Sequence, residues 1–155
     1  MQANELFTQP NTILPDGGRG TMLQAAGRKL GARPEELNIT DPQLIESIHS
    51  RYAAAGSRII NANTFGASAH KLAGSEYTLE EIIAAGISNC KRACAPYGAL
   101  AALDVGPPGE LLAPTGPPAF DDPVAEPGRL VRAGDAARAP PRLFATLPHL
   151  SPPQA

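Results

Sequence analysis

Short apolar runs that alternate with amphipathic helical patterns constrain the fold of this chain more than any other feature. The runs cover 11–14, 58–65 and 99–105, and each ends at glycine or polar residues, as β-strands that lead into turns do. The segments between the runs are long enough for helical crossovers between parallel strands. The sequence therefore predicts an α/β fold with a parallel sheet.

The clearest helical signal covers 42–55. Asp41 can accept hydrogen bonds from the first exposed N–H groups, and Pro42 occupies the first helical position, where a missing donor costs little. Gly56 suits the left-handed residue that often follows a helix. His49 is expected away from the apolar stripe, and none of the three histidines has metal-ligand spacing. The predicted buried face carries Leu44, Ile45, Ile48, Tyr52 and Ala55.

A second helix is predicted from Thr78 to about residue 95. Glu81 follows Thr78 by three residues, which is the spacing of a capping box. Cys90 and Cys94 lie on its apolar stripe, one turn apart. They could be two metal ligands, but zinc needs three or four and no further His or Cys lies nearby in sequence, so buried thiols are favoured.

The first strand ends in a glycine-rich turn at 16–20, Asp-Gly-Gly-Arg-Gly. This turn matches neither the dinucleotide fingerprint nor the phosphate-binding loop of nucleotide hydrolases. It can be a tight turn without a ligand, or it can form part of a site. Asp16 favours a site, because a carboxylate at the end of a strand can accept hydrogen bonds from a ligand ammonium group.

Polar side chains also follow the second and third strands. Asn61, Asn63 and Thr64 could orient a small polar ligand, although such residues also form turns. Asp104 could face the same ligand or cap the turn after its strand. Because α/β proteins place ligands at the carboxyl ends of their strands, these residues are the candidate site.

Composition excludes several classes of function. The 155 residues carry a formal charge of −2 and an isoelectric point near 5.9, so nothing favours nucleic acid or an anionic membrane surface. No apolar stretch approaches the ~20 residues that span a bilayer, and the N-terminus does not have the pattern of a secretory signal peptide. A cytoplasmic protein with reduced cysteines is therefore predicted.

Proline divides the chain unevenly. Twelve of the 17 prolines lie between Pro107 and Pro153, and the Ala/Arg/Pro-rich segment 124–155 has little sustained periodicity. We therefore expect a structured part over 1–123 and a disordered or poorly folded tail over 124–155. A frameshift near Val124 is one hypothesis for the change in composition.

Three blocks of sequence resemble the homocysteine S-methyltransferase family, which includes the homocysteine-binding module of methionine synthase and betaine-homocysteine methyltransferase. The first is Asp-Gly-Gly-Arg-Gly-Thr-Met-Leu-Gln at 16–24. The second covers 38–67 and ends in Asn-Thr-Phe-Gly-Ala, and the third is Leu-Asp-Val-Gly-Pro-Pro-Gly-Glu-Leu-Leu at 103–112. The blocks occur in the family's order, so together they are specific.

The resemblance implies a TIM-type (β/α)₈ barrel and an essential zinc, held by three cysteines, that binds homocysteine as a thiolate. The thiolate would attack a methyl group carried by a donor such as methylcobalamin, betaine or S-methylmethionine and so form methionine. The resemblance also implies substrate-binding roles for Asp16, Gly17 and Thr64. Arg19 stands where the family commonly has methionine, and Ala62 replaces a frequent threonine or glutamate.

The family's zinc cysteines come later in its sequences, and Cys90 and Cys94 do not match them, so no catalytic or metal-binding residue is assigned. A whole barrel takes ~250 residues, so the matching region is expected to supply about three β/α units. This predicts a truncated, inactive methyltransferase fragment whose open sheet edge favours self-association. The alternative is a non-catalytic interaction protein that uses the half-barrel or the proline-rich tail.

Overall fold

The computed structural model describes residues 8, 12–27, 33–106, 121–137 and 142–144. Single turns of 3₁₀ helix cover Pro34–Glu36 and Ala95–Tyr97. No helix in these ranges combines the length and apolar composition needed to cross a membrane. The helices are α1 (Arg19–Ala25), α2 (Leu37–Thr40), α3 (Pro42–Ala54), α4 (Leu79–Cys94) and α5 (Asp121–Ala136), and the strands are β1 (Ile59–Asn61), β2 (Leu100–Val105) and β3 (Arg142–Phe144).

The three strands form one sheet in the order β1-β2-β3, and both pairings are parallel. Ile60 pairs with Ala101, and Asp104 pairs with Leu143. Helices lie between consecutive strands in the chain, as parallel crossovers require. The predicted α/β class with a parallel sheet is confirmed, and the carboxyl ends of the strands meet at one edge, where α/β proteins place their sites.

The first predicted strand is reduced to a single parallel bridge between Pro15 and Ile59. Asp16 N donates to Ile59 O at 2.9 Å, and Arg58 N donates to Leu14 O at 2.9 Å. These bonds place the first apolar run beside β1, on the side opposite to β2. The glycine-rich turn that follows therefore starts at the same edge of the sheet as the ends of β1 and β2.

Both predicted long helices are confirmed, with ends that their local signals explain. The Asp41 carboxylate accepts from Leu44 N at 3.3 Å at the start of α3. At the start of α4, the Thr78 hydroxyl accepts from Glu81 N at 3.2 Å while Thr78 N donates to the Glu81 carboxylate at 2.9 Å. This capping box satisfies two donors that the first turn of a helix leaves open.

The main core lies where α4 packs against the sheet and against the neighbouring helices α3 and α5. Ile82, Ile83 and Ile87 of α4 are buried, as are Cys90 and Cys94 at the end of the same stripe. A smaller cluster formed by Leu23, Ile45 and Ile48 packs α1 against α3. This second cluster fixes the helix that follows the glycine-rich turn.

Within 124–155, where the sequence shows little sustained periodicity, the described part of the chain contains a helix and a short strand. Helix α5 covers all of 124–136, and β3 extends the sheet next to β2. Leu130 is buried against the core, and a Cβ on Gly134 would lie 2.6 Å from Leu103 Cδ2, so α5 packs closely on β2. Tertiary contacts stabilise this helix despite its composition. The division at 123 and the frameshift hypothesis stay predictions.

Candidate functional site

A cavity of about 390 Å³ opens at the carboxyl ends of the strands. Its volume is at the lower end of the range for small-molecule sites, which suits a ligand of amino-acid size. The wall combines the glycine-rich turn, the ends of β1 and β2 and the start of the segment before α2. Its lining residues are Gly17, Gly18, Arg19, Gly20, Leu23, Pro34, Glu35, Asn61, Asn63, Phe65 and Asp104.

Tyr52 on α3 holds the glycine-rich turn in place. Its hydroxyl donates to Gly18 O at 3.1 Å, and its ring packs against Gly17. A Cβ on Gly17 would lie 3.2 Å from Tyr52 Oη, which is tighter than ordinary contact. Glycine at this position therefore lets the turn approach α3 closely while one face of the turn stays open to the cavity.

Asp16 lies behind the cavity wall and is not among its lining residues. Its Oδ1 accepts a hydrogen bond from Asn61 Nδ2 at 2.7 Å, so the carboxylate orients a side chain that does line the cavity. Burial raises the pKa of Asp16, while the hydrogen bond from Asn61 and the positive charge of Arg19 oppose that rise. Asp16 therefore acts on the site indirectly: it places a negative charge behind the wall and fixes the orientation of the Asn61 amide.

Arg19 is the central cation of the site, although its side chain is only 12% exposed. Its Nη2 donates to Asn61 O at 2.5 Å, and its Nη1 lies 3.5 Å from Asn63 Oδ1. The nearest carboxylate oxygen is Asp104 Oδ2, 4.0 Å from Nη2. Within the described residues Nε is buried without a hydrogen-bond partner. The guanidinium is therefore held mainly by neutral oxygens, without a close ion pair.

Asp104 is the carboxylate at the end of β2. Burial raises its pKa to about 6; Arg19 works against this rise, and the negative charges of Asp16 and Glu35 add to it. Its Oδ1 finds no hydrogen-bond partner in the described part of the chain. Burial therefore disfavours the ionised form of Asp104, and one of its carboxylate oxygens receives no donor from the described residues.

Thr64 is completely buried and does not line the cavity. Its hydroxyl donates to Asp104 O at 2.8 Å and accepts from Asp104 N at 3.1 Å. Its Cγ2 is in turn close to Gly86 on α4, where a Cβ would lie 3.2 Å away. Thr64 therefore holds the backbone of Asp104 in place from behind the site.

Three buried asparagines connect the site to the helices behind it. Asn38 Nδ2 donates to Asn63 O at 2.8 Å and to Ile82 O at 3.1 Å, and Asn63 Nδ2 donates to Asn38 Oδ1 at 3.0 Å. Asn89 Nδ2 donates to the main-chain oxygen of Asn38 at 2.9 Å. This network attaches α2 and the end of β1 to α4 through paired polar groups.

Glu35 is a further acidic residue of the site that sequence reasoning missed. It is 5% exposed and lines the cavity, and its Oε1 accepts from Gly66 N at 2.8 Å. A Cβ on Gly66 would lie 2.6 Å from that oxygen, so glycine is needed for this contact. The sequence over 29–38 has the character of a loop, and nothing local in it marks a buried glutamate.

The prediction that His49 lies away from the apolar stripe is wrong, because the side chain is completely buried on α3. Residues 45, 48 and 49 share the buried face at helical spacing. Neither ring nitrogen has a hydrogen-bond partner within the described ranges. Burial, with the nearby charge of Arg19, lowers the pKa of His49 to about 3, so the imidazole is neutral near pH 7.

His49 makes the stability of the fold depend on pH. The unfolded chain takes up a proton at this histidine near pH 6.5, whereas the folded chain resists protonation until about pH 3. Lowering the pH from 7 to 5 should therefore destabilise the wild-type chain by about 2 kcal/mol relative to His49→Leu. Urea titrations of both chains at the two pH values measure this difference.

Ile48, a buried residue of the same helix without a titratable group, supplies the matched control. Ile48→Leu should leave the difference in unfolding free energy between pH 7 and pH 5 as it is in the wild type. The prediction about His49 fails if His49→Leu and the wild type lose the same free energy of unfolding over this interval.

Cys90 and Cys94 lie away from the cavity, against the sheet. Their sulfur atoms are 3.9 Å apart, and Cys90 Sγ donates to Ile60 O at 3.4 Å. The hydrogen bond with Cys94, together with burial, raises the pKa of the Cys90 thiol well above its usual range. No group of three or more His, Cys, Asp or Glu among the described residues could hold a metal ion.

The structure thus gathers some of the predicted site residues and separates others. Gly17, Asn61, Asn63 and Asp104 meet at the cavity. Asp16 and Thr64 stand behind it, each holding a residue that lines it. The sequence marks Arg19 only as a departure from a family pattern, yet its guanidinium reaches Asn61, Asn63 and Asp104 of the cavity wall.

Comparison with protein families gives one match over most of the chain. The model of the homocysteine S-methyltransferase family matches residues 13–129, which contain every described residue of the cavity wall. Methionine synthases of Mycobacterium leprae and Mycobacterium tuberculosis are each 42% identical to this chain over 60 residues. That alignment covers 35% of this chain and 5% of each relative.

Solved structures of similar fold include the homocysteine methyltransferase MmuM from Escherichia coli. Its metallated form superimposes with a TM-score of 0.79 at 21% identity, over 94% of this chain and 57% of that chain. Its apo form gives a TM-score of 0.64 at 23% identity, over 88% of this chain and 49% of that chain. The chain therefore spans about half the length of the solved proteins whose fold it shares.

Proposed function

We propose that this chain, which belongs to the homocysteine S-methyltransferase family, binds the amino-acid end of homocysteine in the cavity at its strand ends. The observation that carries the proposal is the cavity wall itself. It combines a glycine-rich turn, a partly buried arginine and a carboxylate at the carboxyl ends of parallel strands. We further propose that the three strands and their helices are consecutive β/α units of a TIM-type barrel, a fold that places its sites at this end.

Each of the three residues implied by the family resemblance has a distinct part in this proposal. Gly17 lines the cavity and lets a ligand approach the backbone of the turn. Asp16 orients the Asn61 amide, which lines the wall. Thr64 acts through Asp104, because its hydroxyl is occupied by the Asp104 backbone and its side chain is buried. Asp16 and Thr64 are thus proposed as supporting residues of the substrate site.

Zinc, which the family implies, does not fit the described residues. Cys90 and Cys94 supply two thiols at most, both buried on α4, and Cys90 already bonds to a strand carbonyl. A catalytic zinc needs three protein ligands beside an open position. We therefore derive no methyl-transfer step from these residues, and we propose that the chain alone does not form methionine.

Binding and turnover of the purified full chain test this proposal separately. Calorimetric titration with L-homocysteine under reducing conditions should show binding, while butanethiol, which lacks the amino-acid group, serves as the control and should show none. Metal analysis should give less than one zinc per chain. Incubation with homocysteine and S-methylmethionine or methylcobalamin should yield no methionine.

The two halves of the proposal fail in different ways. Absence of homocysteine binding would contradict the assignment of the cavity. Stoichiometric zinc together with methionine formation would leave that assignment standing and would contradict the proposed inactivity.

A further inference from the structure

Arg19 and Asp104 lie on the wall of the same cavity as an incomplete ion pair. We propose that they determine which ligands the cavity accepts: Arg19 binds the carboxylate of the ligand, and Asp104 binds its ammonium group. The inference rests on the proposed homocysteine site and assigns its two charges to residues of this chain. Arg19 stands where the family commonly has methionine, so the family pattern does not supply this role.

Arg19 has hydrogen-bonding capacity left for an anion. A guanidinium carries five N–H groups in a planar fork, which matches a carboxylate. In this structure one N–H bonds closely to Asn61 O, and the contact with Asn63 Oδ1 is long at 3.5 Å. Both partners are neutral oxygens, so they hold the side chain in place without cancelling its charge. A cation prepared in this way binds an anionic group with little loss of side-chain entropy.

Asp104 has matching capacity for a cation. Among the described residues, Glu35 and Asp104 are the acidic ones that line the cavity, and Glu35 Oε1 already accepts from Gly66 N. Asp104 Oδ2 lies 4.0 Å from Arg19 Nη2, which is beyond hydrogen-bond distance, and Oδ1 lacks a partner among the described residues. A ligand ammonium would supply the donors that this carboxylate lacks.

The side chain of Asp104 is set in a defined position. Thr64 fixes its backbone N–H and C=O together, and the neighbouring bond from Ala62 N to Ala102 O ties β1 to β2 just before the site. Arg19 is likewise held at the start of α1, whose Leu23 belongs to the small core cluster. Both charges are therefore fixed relative to each other before a ligand arrives, which is the requirement for selective recognition.

Three related thiols allow the contribution of each charged group of the ligand to be measured separately. L-Homocysteine carries both the carboxylate and the ammonium group, 4-sulfanylbutanoate keeps only the carboxylate, and 3-aminopropane-1-thiol keeps only the ammonium group. Their dissociation constants for the full wild-type chain and its variants are measured by titration calorimetry under reducing conditions. Thermal melts of each variant confirm that it is folded at the temperature of the titration.

Arg19→Met should weaken binding of homocysteine and 4-sulfanylbutanoate about tenfold or more, because the carboxylate of each ligand loses its charge-assisted hydrogen bond to the guanidinium. Binding of 3-aminopropane-1-thiol should stay the same or tighten, because a positive charge has left the cavity. Asp104→Asn, which keeps the shape, should weaken homocysteine and 3-aminopropane-1-thiol and spare 4-sulfanylbutanoate. Arg19→Lys should fall between the wild type and Arg19→Met for the carboxylate ligands, because it keeps charge and loses the fork.

Arg33→Met is the matched control. Arg33 also donates to main-chain oxygens, those of Lys71 and Gly74 at 3.2 Å each, but it lies outside the cavity wall. Its loss should change the affinities for all three thiols alike. The inference is overturned if Arg19→Met weakens all three thiols equally, as a purely structural arginine would, or leaves homocysteine binding unchanged. A wild-type chain that binds none of the thiols would overturn the homocysteine site itself.

Discussion

Gly106→Ala is expected to lower the free energy of unfolding by about 3 kcal/mol or more. A Cβ at this position would overlap Phe65 O and would lie 3.1 Å from Phe65 C, and both are backbone atoms. Backbone cannot turn away as a flexible side chain can, so the ends of β1 and β2 would have to separate. The cost is therefore larger than for an ordinary added methyl group in a core.

Urea titration followed by circular dichroism measures this effect, and Gly128→Ala is the control. Gly128 lies in α5, and the nearest atom to an added Cβ would be Arg132 Nη1 at 3.3 Å, the far end of a flexible side chain. Alanine is the better helix former by about 1 kcal/mol, so the control should be neutral or stabilising. Equal stability of Gly106→Ala and wild type would show that Phe65 and Gly106 do not approach this closely.

Gly106→Ala should also affect the cavity, because Phe65 is part of its wall. Movement of the Phe65 backbone would shift Gly66 as well, and with it the N–H group that binds Glu35 Oε1. Gly106 belongs to the third block that resembles the family (103–112), and Phe65 lies near the end of the second (38–67), so the two blocks meet at this contact. Their spacing along the chain does not reveal the contact, which exists only once β1 and β2 are paired.

Local signals are enough to predict the two long helices. Asp41 with Pro42, and Thr78 with Glu81, set the first turns of α3 and α4 through contacts within a few residues. Such caps need no knowledge of the rest of the fold, so the sequence is enough to place them. The apolar stripe of α4 is predictable for the same reason, including the burial of Cys90 and Cys94.

Contacts between distant segments explain what the sequence does not reveal. The polar strand ends predict a site, and the cavity lies there. The sequence points to Thr64 as a residue of this site, but the structure places Arg19 on the cavity wall and Thr64 behind it. Arg19 reaches Asn61, 42 positions away, while Thr64 turns from the cavity to the Asp104 backbone, 40 positions away. No short-range pattern indicates which side of a strand end faces a ligand, because this depends on how the neighbouring strands pair.

The sequence does not predict helix α5, because the Ala/Arg/Pro-rich composition of 124–155 is typical of an unfolded segment. Leu130, Ala133 and Ala137 recur at helical spacing, and the first is buried while the other two pack against the core. The close approach of Gly134 to Leu103 places this stripe on β2. Weak local propensity is here overridden by packing against the sheet, which a compositional argument does not weigh.

Asn38→Leu is expected to lower the free energy of unfolding by about 3 kcal/mol, although leucine fills a similar volume. The replacement removes the Asn38 amide, which donates to Asn63 O and accepts from one N–H of the Asn63 side chain. Both groups of Asn63 would then be buried without these partners. Buried polar groups without partners carry the full cost of lost hydration, which added apolar surface does not offset at a polar site. Chemical denaturation of the purified variant measures the loss.

Thr40→Ala, in the same short helix, is the matched control. Its hydroxyl bonds to Glu36 O at 3.1 Å on an exposed surface, where water can replace it, so the change should be within about 0.5 kcal/mol. Because Asn63 lines the cavity, Asn38→Leu should also weaken homocysteine binding under conditions where the variant remains folded. If Asn38→Leu matched Thr40→Ala in stability and in binding, the asparagine network would have no part in holding the site.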